Sequence, residues 1–123
     1  MRVVITGATG FIGKALCAEL HKDYELAALS RNTAAAQRSI GHLAKVVQWG
    51  ASAAAGWEQQ ADGAFAIVNL AGENVGSGRW SKAKKYRIVQ SRLDASSAIV
   101  ETIKQLSKRP AVFVQASACL LYT

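Results

Sequence analysis

The order of patterns along this chain predicts a doubly wound α/β domain, a parallel sheet with helices on both faces. Three observations predict it. Short apolar or β-branched runs alternate with stretches of helical period, so successive strands pair parallel through right-handed crossovers. The first and fourth runs, Arg2 to Thr6 and Ala64 to Leu70, lack the polar alternation of a half-solvated sheet, which argues against a mixed α+β layer. A glycine cluster stands where the first run gives way to the first helix.

Each element follows from its residues. Arg2 to Thr6 is a β-branched strand closed by glycine. From Phe11 the period changes, and Ile12, Leu16 and Leu20, with Ala15 between, recur at helical spacing to about Lys22. Glu25 to Ser30 is a second strand, and Asn32 or Thr33 caps a short helix containing Ala34 to Ser39. Lys45 to Trp49 reads as the third strand, followed by a glycine- and alanine-rich crossover from Gly50 to Gly63. Ala64 to Leu70 is the fourth strand, and Gly72, Gly76 and Gly78 mark a loop after it. Ser81 then offers an N-cap for a long helix whose inner stripe is expected to be Tyr86, Val89, Leu93, Ser96, Val100 and Ile103. Pro110 stops that helix, and Val112-Phe113-Val114 opens a fifth strand.

The chain has 123 residues, with fifteen Lys and Arg against eight Asp and Glu for a formal charge of +7. That length fits one domain, read as residues 1–123. Half of the residues are hydrophobic, but alanine inflates the figure and only 7% are aromatic, so a thin-layered, aliphatic core is expected. The composition excludes whole-chain disorder, collagen and coiled coil. Apolar runs such as Val3 to Ile5 and Ala64 to Val68 fall far short of the roughly 18 to 20 residues that span a bilayer, so no membrane partner is expected. Met1 to Ile5 meets Thr6-Gly7 before a secretory apolar region forms, and a cytoplasmic location is expected. Cys17 and Cys119 lie far apart with no neighbouring His or Cys, which points to reduced structural thiols and no metal.

The segment Thr6-Gly7-Ala8-Thr9-Gly10-Phe11-Ile12-Gly13 lies at a strand-to-helix junction, and position turns its glycines into a physical argument. Gly7 permits a tight turn, Gly10 lets the backbone approach a pyrophosphate, and Gly13 lets the helix pack closely on the strand. The free N–H groups and the positive helix end then hold the phosphates. Gly7, Thr9, Gly10, Phe11, Ile12 and Gly13 are therefore candidate dinucleotide-binding residues. A nucleotide-triphosphate loop fails on two residues: Ala8 stands where it needs glycine, and Ala15 where it needs Ser or Thr after Lys14. Some twenty residues on, where an NAD site places a carboxylate for the ribose hydroxyls, the second strand ends Leu29-Ser30-Arg31-Asn32. Arg31 suits a ribose 2′-phosphate through charge-assisted hydrogen bonds, with Ser30 as a further donor, so NADP is expected ahead of the alternative, NAD.

The loop from Thr6 to Gly13 resembles the Gly-x-x-Gly-x-x-Gly loop of the extended short-chain dehydrogenase/reductase superfamily, the NAD(P)-dependent epimerase/dehydratases. Asn69-Leu70-Ala71-Gly72-Glu73-Asn74-Val75, then Gly78-Arg79-Trp80, then Arg87-Ile88-Val89-Gln90-Ser91-Arg92 are similar to a sugar-nucleotide-epimerase-like subgroup of unassigned substrate. The resemblance runs essentially to Ser117. It implies a Rossmann-type cofactor domain in which Asn69, Leu70, Ala71 and Gly72 line the adenine and ribose side, and in which Ser117 is catalytic, hydrogen-bonding the substrate carbonyl. The chain departs from the subgroup after Ala118: Cys119-Leu120-Leu121-Tyr122-Thr123 stands where one residue and Gly-Tyr-Tyr-Gly are usual. The family's Tyr-x-x-x-Lys pair is absent from it. A tyrosine of ordinary pKa, about 10, is a poor base without a lysine one turn on, and only Thr123 follows Tyr122, which reads as structural.

What the resemblance implies is an NADP(H)-binding domain of an epimerase/dehydratase-like oxidoreductase, truncated after its fifth strand. A complete chain would transfer hydride at a hydroxyl or carbonyl carbon, on a sugar nucleotide or another small molecule. The alternative is a non-catalytic dinucleotide-binding sensor or scaffold. An unpaired fifth-strand edge invites a homodimer. Nine of the fifteen basic residues lie between Arg79 and Arg109. With Tyr86 on the inner stripe and Lys82, Lys84 and Lys85 mainly outward, they read as a solvated helix face, and no nucleic-acid partner is expected. His21 and His42 are isolated from any nucleophile or metal-ligand set.

Overall fold

The computed structural model describes residues 1–49, 57–70 and 81–115, with 84, 85, 88, 91, 92 and 95 described by backbone alone. The element order is β1 (Arg2–Thr6), α1 (Phe11–Leu20), β2 (Glu25–Ser30), α2 (Thr33–Ile40), β3 (Lys45–Gln48), α3 (Glu58–Ala61), β4 (Ala66–Asn69), α4 (Lys82–Gln105) and β5 (Val112–Gln115). The strands form one sheet in the order β3-β2-β1-β4-β5, and every neighbouring pair is parallel. This is the doubly wound architecture expected. The expected limits shift slightly: β3 stops before Trp49, and β4 loses Ala64, Phe65 and Leu70 at its ends. A four-residue helix, α3, stands in the crossover that sequence patterning left without an element.

Two cores lie on opposite faces of the sheet. Val3, Ile5, Leu26, Ala28, Ala66 and Val68 face α1 and α2, whose Cys17 and Ile40 are fully buried. The alternate residues Val4, Ala27, Leu29 and Ile67 face α3 and α4 through Ala61 and Ile99. Burial on both sides explains why β1, β2 and β4 read as continuous apolar runs. No fully buried residue of the first core is aromatic, although Tyr24 and Phe65 stack at its margin with ring centroids 5.9 Å apart, and the second core departs from the aliphatic expectation. There Trp49 and Trp57, 3% and 0% exposed, meet edge to face with ring centroids 6.2 Å apart. Trp57 lies immediately before α3, so the crossover contributes the largest fully buried side chain among the described residues.

Helix faces differ from expectation in two places. On α1 the buried positions are Gly13 and Cys17, flanked by Leu16 and Leu20, while Ile12 is 67% exposed and Ala15 faces outward. On α4 the contact with the sheet is made by Ile99 and Thr102, both fully buried, with Ala98, Ile103 and Leu106 beside them. Tyr86, Val89, Leu93 and Val100 of the expected inner stripe are exposed. The helix is 24 residues long, about 36 Å, and among its described side chains those buried against the sheet belong to its second half. Asn32 caps α2 as expected, its Oδ1 accepting the Ala35 N–H at 3.0 Å.

Cys17 is a free, fully buried thiol, and burial pushes its pKa up. The native state therefore holds the proton that the unfolded thiol releases near pH 8.5, about its ordinary pKa. Unfolding then releases protons above that pH, so this group's contribution to stability falls as pH rises through the alkaline range. A native chain treated with a maleimide at neutral pH should leave Cys17 unmodified, and mass spectrometry after denaturation should show it modified. Rapid labelling of the native thiol would contradict the burial.

Candidate functional site

The sheet order reverses between β1 and β4: β2 and β3 follow on one side of β1, β4 and β5 on the other. In such sheets ligands bind in the crevice outside the carboxyl ends of the strands at that reversal. Thr6 pairs with Leu29 on one side and Asn69 on the other, so the segments leaving β1, β2 and β4 emerge side by side.

The segment after β1 is shaped by two glycines. Gly7 has φ +68°, in the left-handed region that a side chain disfavours. Gly10 N–H donates to the Gly7 carbonyl at 3.2 Å and closes the turn. Gly13 fixes the closeness of α1: a Cβ there would stand 2.4 Å from the Gly7 carbonyl oxygen and 2.6 Å from the Ala8 Cα, both backbone atoms that cannot swing aside. Glycine is thus the residue that lets α1 begin directly over the turn. Gly10 differs, because a Cβ would meet only the Gly7 carbonyl, at an ordinary 3.5 Å.

The N-terminus of α1 presents main-chain donors that no helical acceptor takes. The first intrahelical bond runs from Lys14 N–H to the Gly10 carbonyl, so the amides of Phe11, Ile12 and Gly13 precede any helical acceptor. Gly10 caps the helix without a side-chain bond, and no acidic residue occupies the first turn. Phe11 and Ile12 are 93% and 67% exposed and Thr9 is exposed, which leaves apolar surface around the amides. Three unsatisfied donors at the positive end of a helix dipole match a phosphate group.

At the end of β2, Arg31 is exposed, and its backbone carbonyl accepts from Gln48 Nε2 at 3.2 Å. The Ser30 hydroxyl accepts from Asn32 N–H and donates to the Asn32 carbonyl, each at 3.2 Å, so it serves its own turn first. No carboxylate lies in Ser30, Arg31 or Asn32.

At the end of β4 the structure adds a feature that sequence reasoning missed. Asn69 is fully buried, and its side chain holds strand ends together. Thr6 Oγ1 donates to Asn69 Oδ1 at 2.6 Å, and Asn69 Nδ2 donates to Gln115 Oε1 at 2.9 Å. The Ser96 hydroxyl of α4 donates to the same Gln115 oxygen at 3.0 Å. Leu70 N–H is shared between the Thr6 carbonyl at 3.2 Å and Thr6 Oγ1 at 3.1 Å. β1, β4, β5 and α4 are clamped together beside the crevice, and the buried Asn69 fixes the end of β4 there. The available signal was a polar residue closing each of three apolar strands: Thr6, Asn69 and Gln115.

The expected positions Ala71, Gly72 and Ser117 lie outside the described residues, as do Cys119 and Tyr122. Among the described residues, no group of three or more His, Cys, Asp or Glu comes together, and no helix is long and apolar enough to cross a membrane.

Fold and geometry together define a class: a doubly wound α/β domain with a glycine turn and free helix-start amides at its reversal point. A sequence model of the NAD dependent epimerase/dehydratase family matches residues 3–123, and the chain belongs to that family. The family sets the coenzyme class, a nicotinamide dinucleotide. Epimerase family protein YfhF of Bacillus subtilis is 32% identical over 123 residues, covering 99% of this chain and 39% of that protein. UDP-glucose 4-epimerase from Bifidobacterium longum, solved with NAD+ and UDP, superposes with a TM-score of 0.75 at 20% identity, over 99% of this chain and 38% of its own. Yeast methylglyoxal/isovaleraldehyde reductase Gre2, solved with NADPH, gives 0.76 at 15% identity, over 96% and 37%. These two likenesses show the fold. The chain spans less than two fifths of the length of each of these proteins.

Two substitutions separate fold from cradle. Gly13→Ala should cost about 1–3 kcal/mol of stability, read as a lowered thermal midpoint, because backbone must shift to admit the methyl. Gly10→Leu should leave the midpoint close to wild type while coenzyme binding, followed by NADPH fluorescence, falls at least severalfold. Undiminished binding by Gly10→Leu would mean that the cradle holds no phosphate.

Proposed function

We propose that this chain is the NADP(H)-binding domain of an oxidoreductase or epimerase that acts at a hydroxyl or carbonyl carbon. The observation that carries the reading is the α1 N-terminus: three amides without helical acceptors over a glycine turn, at the reversal point of the sheet. The amides of Phe11, Ile12 and Gly13 hold the bridging phosphates, and Gly10 leaves them room to approach. Phe11 and Ile12, exposed beside those amides, cover part of the coenzyme from water.

Arg31 supports NADP over NAD. It is exposed at the exit of β2, beside the turn after β1, with no neighbouring carboxylate to repel a 2′-phosphate. Ser30 adds a donor only by releasing Asn32, so the discrimination rests mainly on the guanidinium. Leu70, Ala71 and Gly72 follow the clamped end of β4 and complete the adenine and ribose side in this reading.

When bound, the coenzyme supplies hydride transfer. The chain's own contribution is to bind and orient it and, through Ser117, to polarise the reacting oxygen by a hydrogen bond. Gln115 lies two positions before Ser117, so the clamp on Asn69 and Ser96 sets where the exit of β5 begins. A sugar nucleotide or another small hydroxy compound is the substrate class. A cytoplasmic location and a homodimer belong to the same proposal.

Titrating the purified chain separately with NADPH and NADH should give tighter binding of NADPH. Arg31→Asp should weaken NADPH about tenfold or more and leave NADH nearly unchanged, the loss expected for a charge-assisted contact. Equal losses for both coenzymes would remove the NADP assignment and leave the dinucleotide site intact.

A further inference from the structure

Asp62 is the one Asp or Asn in the sequence that a glycine follows, and glycine leaves the approach of its backbone nitrogen to the preceding side-chain carboxyl unhindered. The pair joins α3 to the approach of β4, at the amino end of the parallel sheet, opposite the glycine turn after β1. Both residues are exposed, and Gly63 stands at φ +77° with open space where a Cβ would be. Their reacting groups are nevertheless occupied. Asp62 Oδ1 accepts the Lys108 N–H at 2.7 Å, and the Gly63 N–H donates to the Lys108 carbonyl at 3.0 Å. Asp62 has φ −66° and ψ 121°, an extended backbone that turns the Gly63 nitrogen away from the Asp62 Cβ, whereas closing a ring between them needs the two eclipsed about the Cα–C bond. Two residues on, the Phe65 carbonyl accepts from the Ala111 N–H at 2.9 Å and the Val112 N–H at 3.2 Å. The connection from α4 to β5 is therefore tied to this segment at Lys108 and again where β5 begins.

We propose that Asp62-Gly63 is a latent isoaspartate site, held unreactive by the backbone of Lys108 and modified when the α4–β5 connection opens. In the reaction the Gly63 nitrogen bonds Asp62 Cγ, and one carboxylate oxygen leaves as water with the amide proton and a second proton from solvent. Water then adds to the succinimide at the Asp62 backbone carbonyl and breaks its bond to the Gly63 nitrogen. The chain now continues through the side chain, the α-carboxylate is free, and nothing has been oxidised or reduced. Lys108 opposes each part of this: its N–H holds the carboxylate, its carbonyl holds the nitrogen, and the two together hold the extended backbone of Asp62. Modification belongs to the open state, so its rate in the folded chain is the rate of the open chain multiplied by the fraction open. The product adds a methylene to the main chain immediately before Ala64, which is buried in the second core, and the segment no longer matches its two partners on Lys108. The site is independent of the coenzyme reading.

The full 123-residue chain, aged folded at neutral pH, should accept almost no methyl group from labelled S-adenosylmethionine and an isoaspartyl methyltransferase. The same chain aged in urea should accept it, on the peptide that contains Asp62. Asp62→Asn, whose amide oxygen can still accept from Lys108, reports the same ring closure as a loss of ammonia in the mass spectrum, and folded it should react about tenfold or more slowly than in urea. Lys108→Pro, which removes the donated N–H, should speed the folded reaction severalfold and leave the rate in urea unchanged, with circular dichroism to check the fold. Lys108→Ala keeps both backbone groups and should react like wild type. Equal rates for folded and urea-treated chain overturn the proposal. So does acceleration by Lys108→Ala equal to that by Lys108→Pro, which would place the lock in the side chain, and so does methylation in urea confined to peptides without Asp62. Should Lys108→Pro not fold, the comparison of folded and urea-treated Asp62→Asn decides by itself.

Discussion

The contact on which the rest of the site depends is the approach of α1 to the turn after β1, close enough that Gly13 has no room for a methyl group. This contact is made between backbone atoms, so no rotamer change relieves it, and it fixes the start of α1 over Gly7. Gly7 can take the turn because it has φ +68°, and Gly10 closes it with a main-chain bond. The free amides of α1 reach the crevice as a consequence. Three glycines do different work here: one is conformational, one leaves space open, and one prevents a collision.

A second constraint acts from the other side of β1. Thr6 closes that strand with a hydroxyl that Asn69 and Leu70 both use, and Asn69 passes the connection to Gln115 and Ser96. Buried polar groups are costly when unpaired, so this set of bonds specifies one register for the ends of β1, β4 and β5. In the proposed function, recognition of a dinucleotide is divided: main chain at the reversal point addresses the phosphates, and an exposed side chain, Arg31, addresses what distinguishes one coenzyme from another. The fold itself is shared with solved structures at 15–20% identity, because backbone placement needs few particular side chains.

Much of this was legible in the residues. Five strands, the α2 cap at Asn32 and the glycine turn all follow from local rules of period, capping and steric permission. What escaped was non-local. The clamp through Asn69 joins residues 63 and 46 positions apart, a distance at which sequence period carries no information. The Trp49–Trp57 contact is equally invisible to local pattern, although it anchors the crossover into α3. Ile12 illustrates the same limit on α1: its helical spacing was read correctly, but it stands exposed instead of in the core.

Helix α4 shows where the boundary falls. Its residues alone determined that it is helical, that it has a heptad row of apolar side chains, and that positive charge gathers at its first half. They also determined the strand order along the chain and the need for glycine at the turn, because backbone sterics and local period act over a few residues. Only the packed layers decided that Ile99 and Thr102, not Leu93 and Val100, meet the sheet, and that three polar strand ends meet beside the cradle. Burial depends on what another element brings against a face, and a helix with two apolar stripes does not say which one the sheet will cover.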